Sequence, residues 1–329
     1  MKYSGIGGQA VIEGIMMKNA ERYSVAVRKP DGEISVMEDM YESFGSRHPW
    51  AKLPILRGAV NFVESMILGM KTLNWSTSFV EGDEGAEPSR FEKWFTEKFG
   101  DKADKIIMTG SVIVALLISV VIFMWVPLLI SRLLSRFIAS EILLAIIEGF
   151  LRVLLFIGYI LLVSRMEDIK RTFKYHGAEH KCINCLEHGL PLTVENVMKS
   201  SKEHKRCGTS FIFIVMIITI LFFVVIRVDN MFLKLVLRLA LIPVIAGVSY
   251  EVLRFTGTHD SAFINILARP GMWMQGLTTK EPDETMVEVA ITAVERVFDW
   301  KKYLAENFPE GEGSADGKNA PDGSCCAKD

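Results

Sequence analysis

The stretch IIMTGSVIVALLISVVIFMWVPLLI, Ile106–Ile130, decides the fold class of this chain. It contains 25 consecutive residues without a formal charge. Because an α-helix rises about 1.5 Å per residue, roughly 20 such residues cross the hydrocarbon core of a bilayer. The stretch therefore predicts a transmembrane helix.

Three further apolar stretches extend this prediction to four transmembrane helices. They are arranged as two hairpins, residues 106–163 and residues 209–249, on either side of a polar loop. We therefore predict an α-helical integral membrane protein with the lipid bilayer as its surroundings. The three stretches are Ile142–Val163, Thr209–Ile226 and Met231–Ser249.

Basic residues predict the orientation of these helices. The polar loop Ser164–Gly208 contains nine Lys or Arg residues, whereas the loop within the first hairpin contains two and the turn within the second contains one. Positive charge accumulates on the cytoplasmic side of membrane proteins. The sequence thus predicts a multi-pass cell-membrane protein whose two termini and central loop are cytoplasmic. Its formal net charge of −2 gives no reason to expect a nucleic-acid partner.

The amino-terminal segment, residues 1–105, predicts both strands and a helix. Ser24–Arg28 and Glu33–Met37 alternate apolar and polar residues around Pro30-Asp31-Gly32, which is typical of a β-hairpin. Gly5–Lys18 is expected to add a strand. Leu56–Asn74 has the apolar spacing of an amphipathic helix, which either contacts the bilayer and the transmembrane helices or packs within the cytoplasmic portion.

The carboxy-terminal segment, residues 250–308, is expected to complete a small cytoplasmic α+β portion together with the amino-terminal segment and the central loop, residues 164–208. Within it, Thr256–Thr279 is predicted to be irregular because of Pro270-Gly271, and Glu284–Ala305 is predicted to form a helix. Residues 309–329 are predicted to form a disordered tail, and Glu81–Pro88 is predicted to form a loop.

The central loop concentrates metal-ligand side chains, with four of the six histidines and three of the five cysteines. A helix turns about 100° per residue, so His176, Glu179 and His180 would project from one face. Two histidines at i and i+4 can bind one ion, and a Glu between them can act as a base. His204 and Cys207 supply further ligand types in the same loop.

A rival grouping pairs Cys182-x-x-Cys185 with His204-x-x-Cys207, a spacing that suits a structural zinc site. In a continuous helix Cys185 would lie about 140° around the axis from His180. The cysteine pair and the histidine pair could then not easily share an ion. Either the helix ends near Lys181, or only one grouping binds metal.

Four strings of the sequence resemble a family of bacterial multi-pass membrane proteins, a domain of unknown function described as predicted metal-dependent enzymes. The resemblance implies that His176, Glu179, His180, His204 and Cys207 belong to shared motifs, whereas Cys182 occupies a variable position, which counts against the zinc-ribbon grouping. The strings are GGQAVIEGIMMK (Gly7–Lys18), YHGAEHKCINCLE (Tyr175–Glu187), HKRCGTSF (His204–Phe211) and TTKEPDETMVEVAI (Thr278–Ile291).

The favoured hypothesis is metal-dependent hydrolysis at the membrane–cytoplasm boundary, with an unknown substrate. His176 and His180 would bind a divalent ion, zinc by ligand type, with His204 or Cys207 as a third ligand. Glu179 would activate the attacking water.

Two rival functions remain open from the sequence. The first is a membrane scaffold or regulatory protein whose zinc site only holds the loop folded. The second is a small transporter that uses Glu148 and Arg152, which are predicted to pair and face the bundle interior. Four helices are few for a transporter, so it would act as a homo-oligomer. Glu13 and Glu251 are weaker candidates for the metal site.

Overall fold

A computed structural model describes residues 2–79, 98–100, 103–204, 207–225, 228, 230–258 and 262–309. The protein is mostly helical, with one small antiparallel sheet. The strands are β1 Ile6–Val11, β2 Gly14–Asn19, β3 Arg22–Arg28 and β4 Ile34–Met40. The helices are α1 Phe44–Arg47, α2 Leu56–Thr77, α3 Ala103–Val120, α4 Val126–Leu134, α5 Glu141–Val163, α6 Glu167–Glu187, α7 Val194–Lys199, α8 Gly208–Val225, α9 Met231–Ala240, α10 Ile242–Thr258, α11 Ala262–Thr278, α12 Glu284–Val297 and α13 Trp300–Asn307.

The chain divides into two compact units. The first unit contains the sheet and gathers three separate parts of the sequence, and the second contains most of the long apolar helices. The first comprises Met1–Glu42, Arg171–His204 and Thr279–Asp329; the second comprises Ser43–Lys170 and Lys205–Thr278.

The sheet of the first unit is an antiparallel meander in the order β1-β2-β3-β4. The predicted hairpin is confirmed, since β3 pairs with β4 in the register Val27↔Ser35. The glycine-rich amino terminus forms two strands instead of one, because the chain reverses at Glu13, whose φ is 52°. Gly14 suits this position, since a Cβ there would lie 2.2 Å from the Ala26 carbonyl oxygen.

The core of the first unit lies between the sheet and its helices. Helix α12 packs on β2 and β3, and α6 contributes a long buried face to the same cluster. The helix predicted over Glu284–Ala305 exists but is split, because α12 ends at Val297 and Asp299 caps α13 by accepting a hydrogen bond from the Lys302 amide.

In the second unit, three described helices are long and apolar enough to cross a membrane: Thr109–Leu134, Glu141–Val163 and Gly208–Val225. The first of these includes a π-helical turn, Val121–Trp125. The pair Phe232–Ala240 and Ile242–Gly257, bent by 42°, is a fourth candidate. Length and composition thus support three or four apolar spans.

The fourth predicted span is not one straight helix. Its expected bounds, Met231–Ser249, include the break between α9 and α10 at Leu241. Pro243 follows at the second position of α10. Proline has no amide hydrogen to donate and its ring clashes with the carbonyl four residues earlier, so a first helical turn tolerates it and a helix interior does not.

The prediction that Thr256–Thr279 is irregular is wrong, because α11 continues through Pro270. Contacts with α8 favour the helix over the local Pro-Gly signal. The Gln275 amide donates a 2.7 Å hydrogen bond to the Ser210 hydroxyl, and a Cβ at Gly271 would lie 3.0 Å from Ser210. Tertiary packing here outweighs the local preference.

The predicted amphipathic helix exists as α2 and packs against α10 within the second unit. Asn61 donates a 2.9 Å hydrogen bond to the Tyr250 hydroxyl, and Arg57 forms an ion pair with Glu251. Glu251, a weak candidate for the metal site, therefore has a guanidinium as its partner. The predicted loop Glu81–Pro88 and residues 310–329 of the predicted tail lie outside the described residues.

Candidate metal centre

Helix α6 carries the predicted metal motif and is continuous from Glu167 to Glu187. This continuity means that the two groupings left open by the sequence do not easily share one ion, because a helix unbroken at Lys181 turns Cys185 about 140° away from His180. Cys185 is buried, and its thiol donates to the carbonyl oxygens of Leu190 and Pro191 at 3.7 and 3.4 Å. The cysteine pair therefore belongs to the hydrophobic core.

Burial also keeps both thiols protonated. It raises the pKa of Cys185 to about 11 and the pKa of Cys182 well above the ordinary thiol value, with further contributions at Cys182 from Cys185 and Glu179. Since metal ions bind the thiolate form, the core position disfavours this pair as ligands. Neither cysteine joins the potential ligand group found among the residues the structure describes.

The two histidines of the motif lie together on α6, with ring centroids 4.4 Å apart. His180 is buried, and its Nδ1 donates a 2.6 Å hydrogen bond to the Lys202 carbonyl oxygen. Nδ1 must be the protonated nitrogen because a carbonyl only accepts, so Nε2 carries the lone pair. A backbone carbonyl bound to one imidazole nitrogen is the usual arrangement behind a metal-ligating histidine.

His176 and His180 are side chains of a type that could hold a metal ion. His176 is half-buried and His180 is buried, whereas Cys207, also buried, belongs to the second unit. Imidazole and thiolate ligands suit zinc but also other transition metals, so the group does not by itself identify the ion.

His204, the alternative third ligand, has a carboxylate partner. Its Nε2 lies 3.4 Å from Oε2 of Glu187, and both side chains are buried. The other oxygen of this carboxylate accepts hydrogen bonds from Ser4, at 3.0 Å from the amide and 2.8 Å from the hydroxyl. This arrangement orients His204 beside His180, with ring centroids 5.8 Å apart.

Glu187 was missed by the sequence reasoning, although a signal was present. It follows His180 by seven residues, close to two full helical turns, so it lies on nearly the same face of α6. Carboxylates that accept from histidines commonly support metal sites.

Two further side chains of α6 hold the loop that leads to His204. Lys181 donates to the carbonyl oxygens of Met198 and Ser200, at 2.8 and 2.9 Å, and lies 3.0 Å from Glu281. Asn184 donates to the carbonyl oxygens of Ser201 and Glu203, at 2.7 and 2.8 Å. Together with His180, these residues satisfy five carbonyl groups between the last turn of α7 and residue 203.

Glu179 is buried, with its carboxylate against β1. It accepts a hydrogen bond from the Gly8 amide, and a Cβ at Gly8 would lie 3.0 Å from its carboxyl carbon. Burial raises the pKa of this carboxyl, while His176 and the Gly8 amide act in the opposite direction. The glycine in the amino-terminal string thus leaves space for the motif carboxylate.

Gly177 allows a second close approach. A Cβ at this position would lie 2.0 Å from the Lys280 carbonyl oxygen, and the Lys280 amide donates a 2.9 Å hydrogen bond to the Phe173 carbonyl. The glycine of the HGAEH motif therefore lets the segment before α12 lie directly against α6.

Glu13, considered a possible approach to the site, instead joins the β1–β2 turn to the start of α6. It forms a two-point ion pair with Arg171, and the Tyr175 hydroxyl donates to it at 3.4 Å.

In the second unit, the predicted pairing of Glu148 with Arg152 is confirmed, and Glu148 is buried. The same carboxylate also accepts from Arg238, which the sequence did not identify as a partner.

A family model described as "Protein of unknown function (DUF1385)" matches residues 53–300. This chain belongs to that family. It is 37% identical over 304 residues to a protein described as "Uncharacterized protein YqhQ" from Bacillus subtilis (strain 168), covering 92% of this chain and 94% of that protein. No solved structure matches the chain. The resemblance to a family of unknown function is confirmed, and its description as metal-dependent enzymes stays a prediction.

Proposed function

We propose that this protein is a metal-dependent hydrolase that acts at the boundary between a bacterial cell membrane and the cytoplasm. His176 and His180 would bind a divalent ion, zinc by ligand type, with Cys207 or His204 as the third ligand. Glu179 would act as the general base.

The observation that carries the proposal is the arrangement of His180. Its Nδ1 is hydrogen-bonded to the Lys202 carbonyl, so Nε2 is the nitrogen left to bind an ion, beside His176 on the same helix. With Cys207 or His204 as the third ligand, the proposed set has three protein residues. Catalytic zinc sites use three protein ligands and leave a fourth position for water or substrate, whereas structural sites use four.

A divalent ion bound there would supply Lewis acidity for hydrolysis, and Glu179 would accept the proton of the attacking water. This carboxyl is buried three residues after His176 on the same helix. Its pKa is raised by burial, which brings a carboxyl closer to the neutral range where a general base is most effective.

Cobalt substitution of the purified full-length protein tests both parts of the proposal. We expect His180→Ala to lose most bound metal, since one of three ligands is removed, and Cys182→Ser to retain it as the matched control. The Co²⁺ form should change its visible spectrum when a small anion such as azide is added, because an open position would accept it. Metal retained by His180→Ala but lost by Cys182→Ser would overturn the histidine site.

Glu179→Gln separates an enzyme from a structural site. An amide cannot accept the proton, so this variant should keep the metal and the fold but lose function when expressed in place of the native protein. A structural zinc site in a membrane scaffold, the second candidate, is favoured by the many hydrogen bonds that α6 makes to residues 198–203. An azide-insensitive Co²⁺ spectrum and full function of Glu179→Gln would support that candidate.

We also propose that both termini and the metal-ligand loop are cytoplasmic. The nine basic residues of Ser164–Gly208 support this orientation. A cysteine introduced at Lys199 should react with a membrane-impermeant reagent only after the membrane is permeabilised, and one at Asn230 should react in intact cells. The reverse pattern would contradict the orientation.

A further inference from the structure

A buried ionic triad lies among the apolar helices of the second unit. Glu148 of α5 accepts hydrogen bonds from Arg152 of the same helix and from Arg238 of α9, the latter at 3.0 Å through Oε2. Glu148 is 2% exposed and Arg238 is 3% exposed. Two guanidinium groups share one carboxylate, so the triad carries a surplus of one positive charge.

The local backbone supports this arrangement. Arg152 Nε donates a 3.0 Å hydrogen bond to the carbonyl oxygen of Phe123, which lies in the π-helical turn that follows α3. A π-helical turn interrupts the regular hydrogen-bond ladder and often occurs at functional sites. Both guanidinium groups also face the Phe223 ring, at 4.9 and 4.3 Å from its centroid. The ring stabilises their charge but does not neutralise it.

Glu148 also lines a cavity of about 620 Å³ formed by residues of α4, α5, α8 and α9 and the segments next to them. Polar side chains line part of it, including Ser131, Ser135 and Asn230. Apolar side chains complete the lining, among them Leu144 and Phe232, and the Phe232 side chain is strongly exposed. Small-molecule sites usually have volumes of about 300–1,000 Å³, and the volume of this cavity falls within that range.

The charged groups that line the cavity and lie behind its lining together favour an anion. Arg132 and Lys234 line the cavity together with Glu141, and the triad, of which only Glu148 belongs to the lining, adds its surplus of one positive charge. Two lining cations and the surplus, less one carboxylate, leave two positive charges. The triad is buried among apolar helices, where charge is less screened than on a water-exposed patch, so its surplus attracts an oppositely charged ligand more strongly.

We propose that this cavity binds an anionic phosphate group, one whose charge is not balanced by a cation on the same molecule. Arg and Lys side chains with neighbouring hydroxyl groups are the usual partners of phosphate oxygens. The volume exceeds what one phosphate ion requires, and apolar residues border the polar lining, so the phosphate can be carried by an anionic lipid headgroup as well as by a free ion.

Lipid retention by the purified full-length protein tests the proposal. After exchange into phosphatidylglycerol or phosphatidylcholine, native mass spectrometry should detect retained phosphatidylglycerol on the wild type and about tenfold less on Lys234→Gln, as expected for one lost charged contact. The matched control is Arg165→Gln, an exposed residue just beyond the other end of α5, which should retain lipid as the wild type does. An equal loss in both variants would show general surface attraction and overturn the proposal.

A second variant tests the cavity independently, in case Lys234→Gln reduces lipid retention only by unfolding the protein. Ala145→Trp would fill part of the cavity without removing any charge, and it should reduce retention to a similar extent. Inorganic phosphate separates the two sources: a Lys234-dependent rise in melting temperature without selective lipid retention would identify a soluble phosphate. The proposal is overturned if the wild type retains both lipids equally and phosphate leaves its melting temperature unchanged, or if Ala145→Trp binds normally.

Discussion

Replacing Gly177 by Ala should destabilise the protein, although the same change stabilises most helices. Alanine is usually favoured over glycine in a helix interior by about 0.5–1 kcal/mol. At Gly177, however, the added Cβ would lie 2.0 Å from the Lys280 carbonyl oxygen, well inside the 3.4 Å at which ordinary van der Waals contact begins. The oxygen belongs to the backbone and the position of a Cβ is fixed by the backbone, so no side-chain rotation can relieve the overlap.

The expected cost follows from the displacement that the methyl group requires. Moving the segment around Lys280 away from α6 costs about 1–3 kcal/mol, as in other overpacked interiors. The hydrogen bond from the Lys280 amide to the Phe173 carbonyl would also weaken, at about 1 kcal/mol. After the gain in helix propensity, we expect a net loss of about 1–3 kcal/mol, which lowers the melting temperature by roughly 3–8 °C.

Thermal unfolding followed by tryptophan fluorescence measures this effect, and Trp300 reports on the first unit, since it packs against that core. The matched control is Gly158→Ala in α5, where an added Cβ meets no atom within 4 Å. That variant should melt at or slightly above the wild-type temperature. If Gly177→Ala melts as high as Gly158→Ala, the close approach of Lys280 to α6 is not a constraint on this fold.

Two further predictions concern the residues around the motif. Lys181→Met should lower the free energy of unfolding by about 2–4 kcal/mol and reduce metal retention, because it leaves the Met198 and Ser200 carbonyls without their donor. The control Lys199→Met, on the exposed end of α7, should lower it by less than about 0.5 kcal/mol. Equal melting temperatures of the two variants would contradict this prediction. N-ethylmaleimide at neutral pH should label neither Cys182 nor Cys185 until the protein is denatured. Burial raises the pKa of both thiols, and the reactive thiolate forms only as the pH approaches those raised values. Rapid labelling of either residue in the folded protein, detected by peptide mass spectrometry, would refute that account.

The metal motif could be predicted locally, but its surroundings could not. His176, Glu179 and His180 share a face because helical geometry depends only on spacing along one segment. The continuity of α6, which separated the histidine pair from Cys185, depends on packing of its buried face against the sheet and α12. The roles of Lys181 and Asn184 depend on the path of residues 198–203, which has no periodic signal.

The glycines also differ in what the sequence predicts and what only tertiary packing explains. Gly8, Gly14 and Gly177 were visible as glycines, yet each lies close to an atom that is remote in the sequence or on a neighbouring strand. The partners at Gly8 and Gly177 are more than 100 residues away, namely Glu179 and Lys280. No local pattern identifies such a partner.

The sequence by itself determined the long apolar helices, the β3–β4 hairpin and the shared face of the histidine motif, because each follows from composition or periodicity within one short segment. The tertiary structure decided the second arginine at Glu148, the carboxylate behind His204 and the helical form of α11. These features arise when distant segments pack together and buried polar groups must find partners, and that requirement acts on the folded chain as a whole.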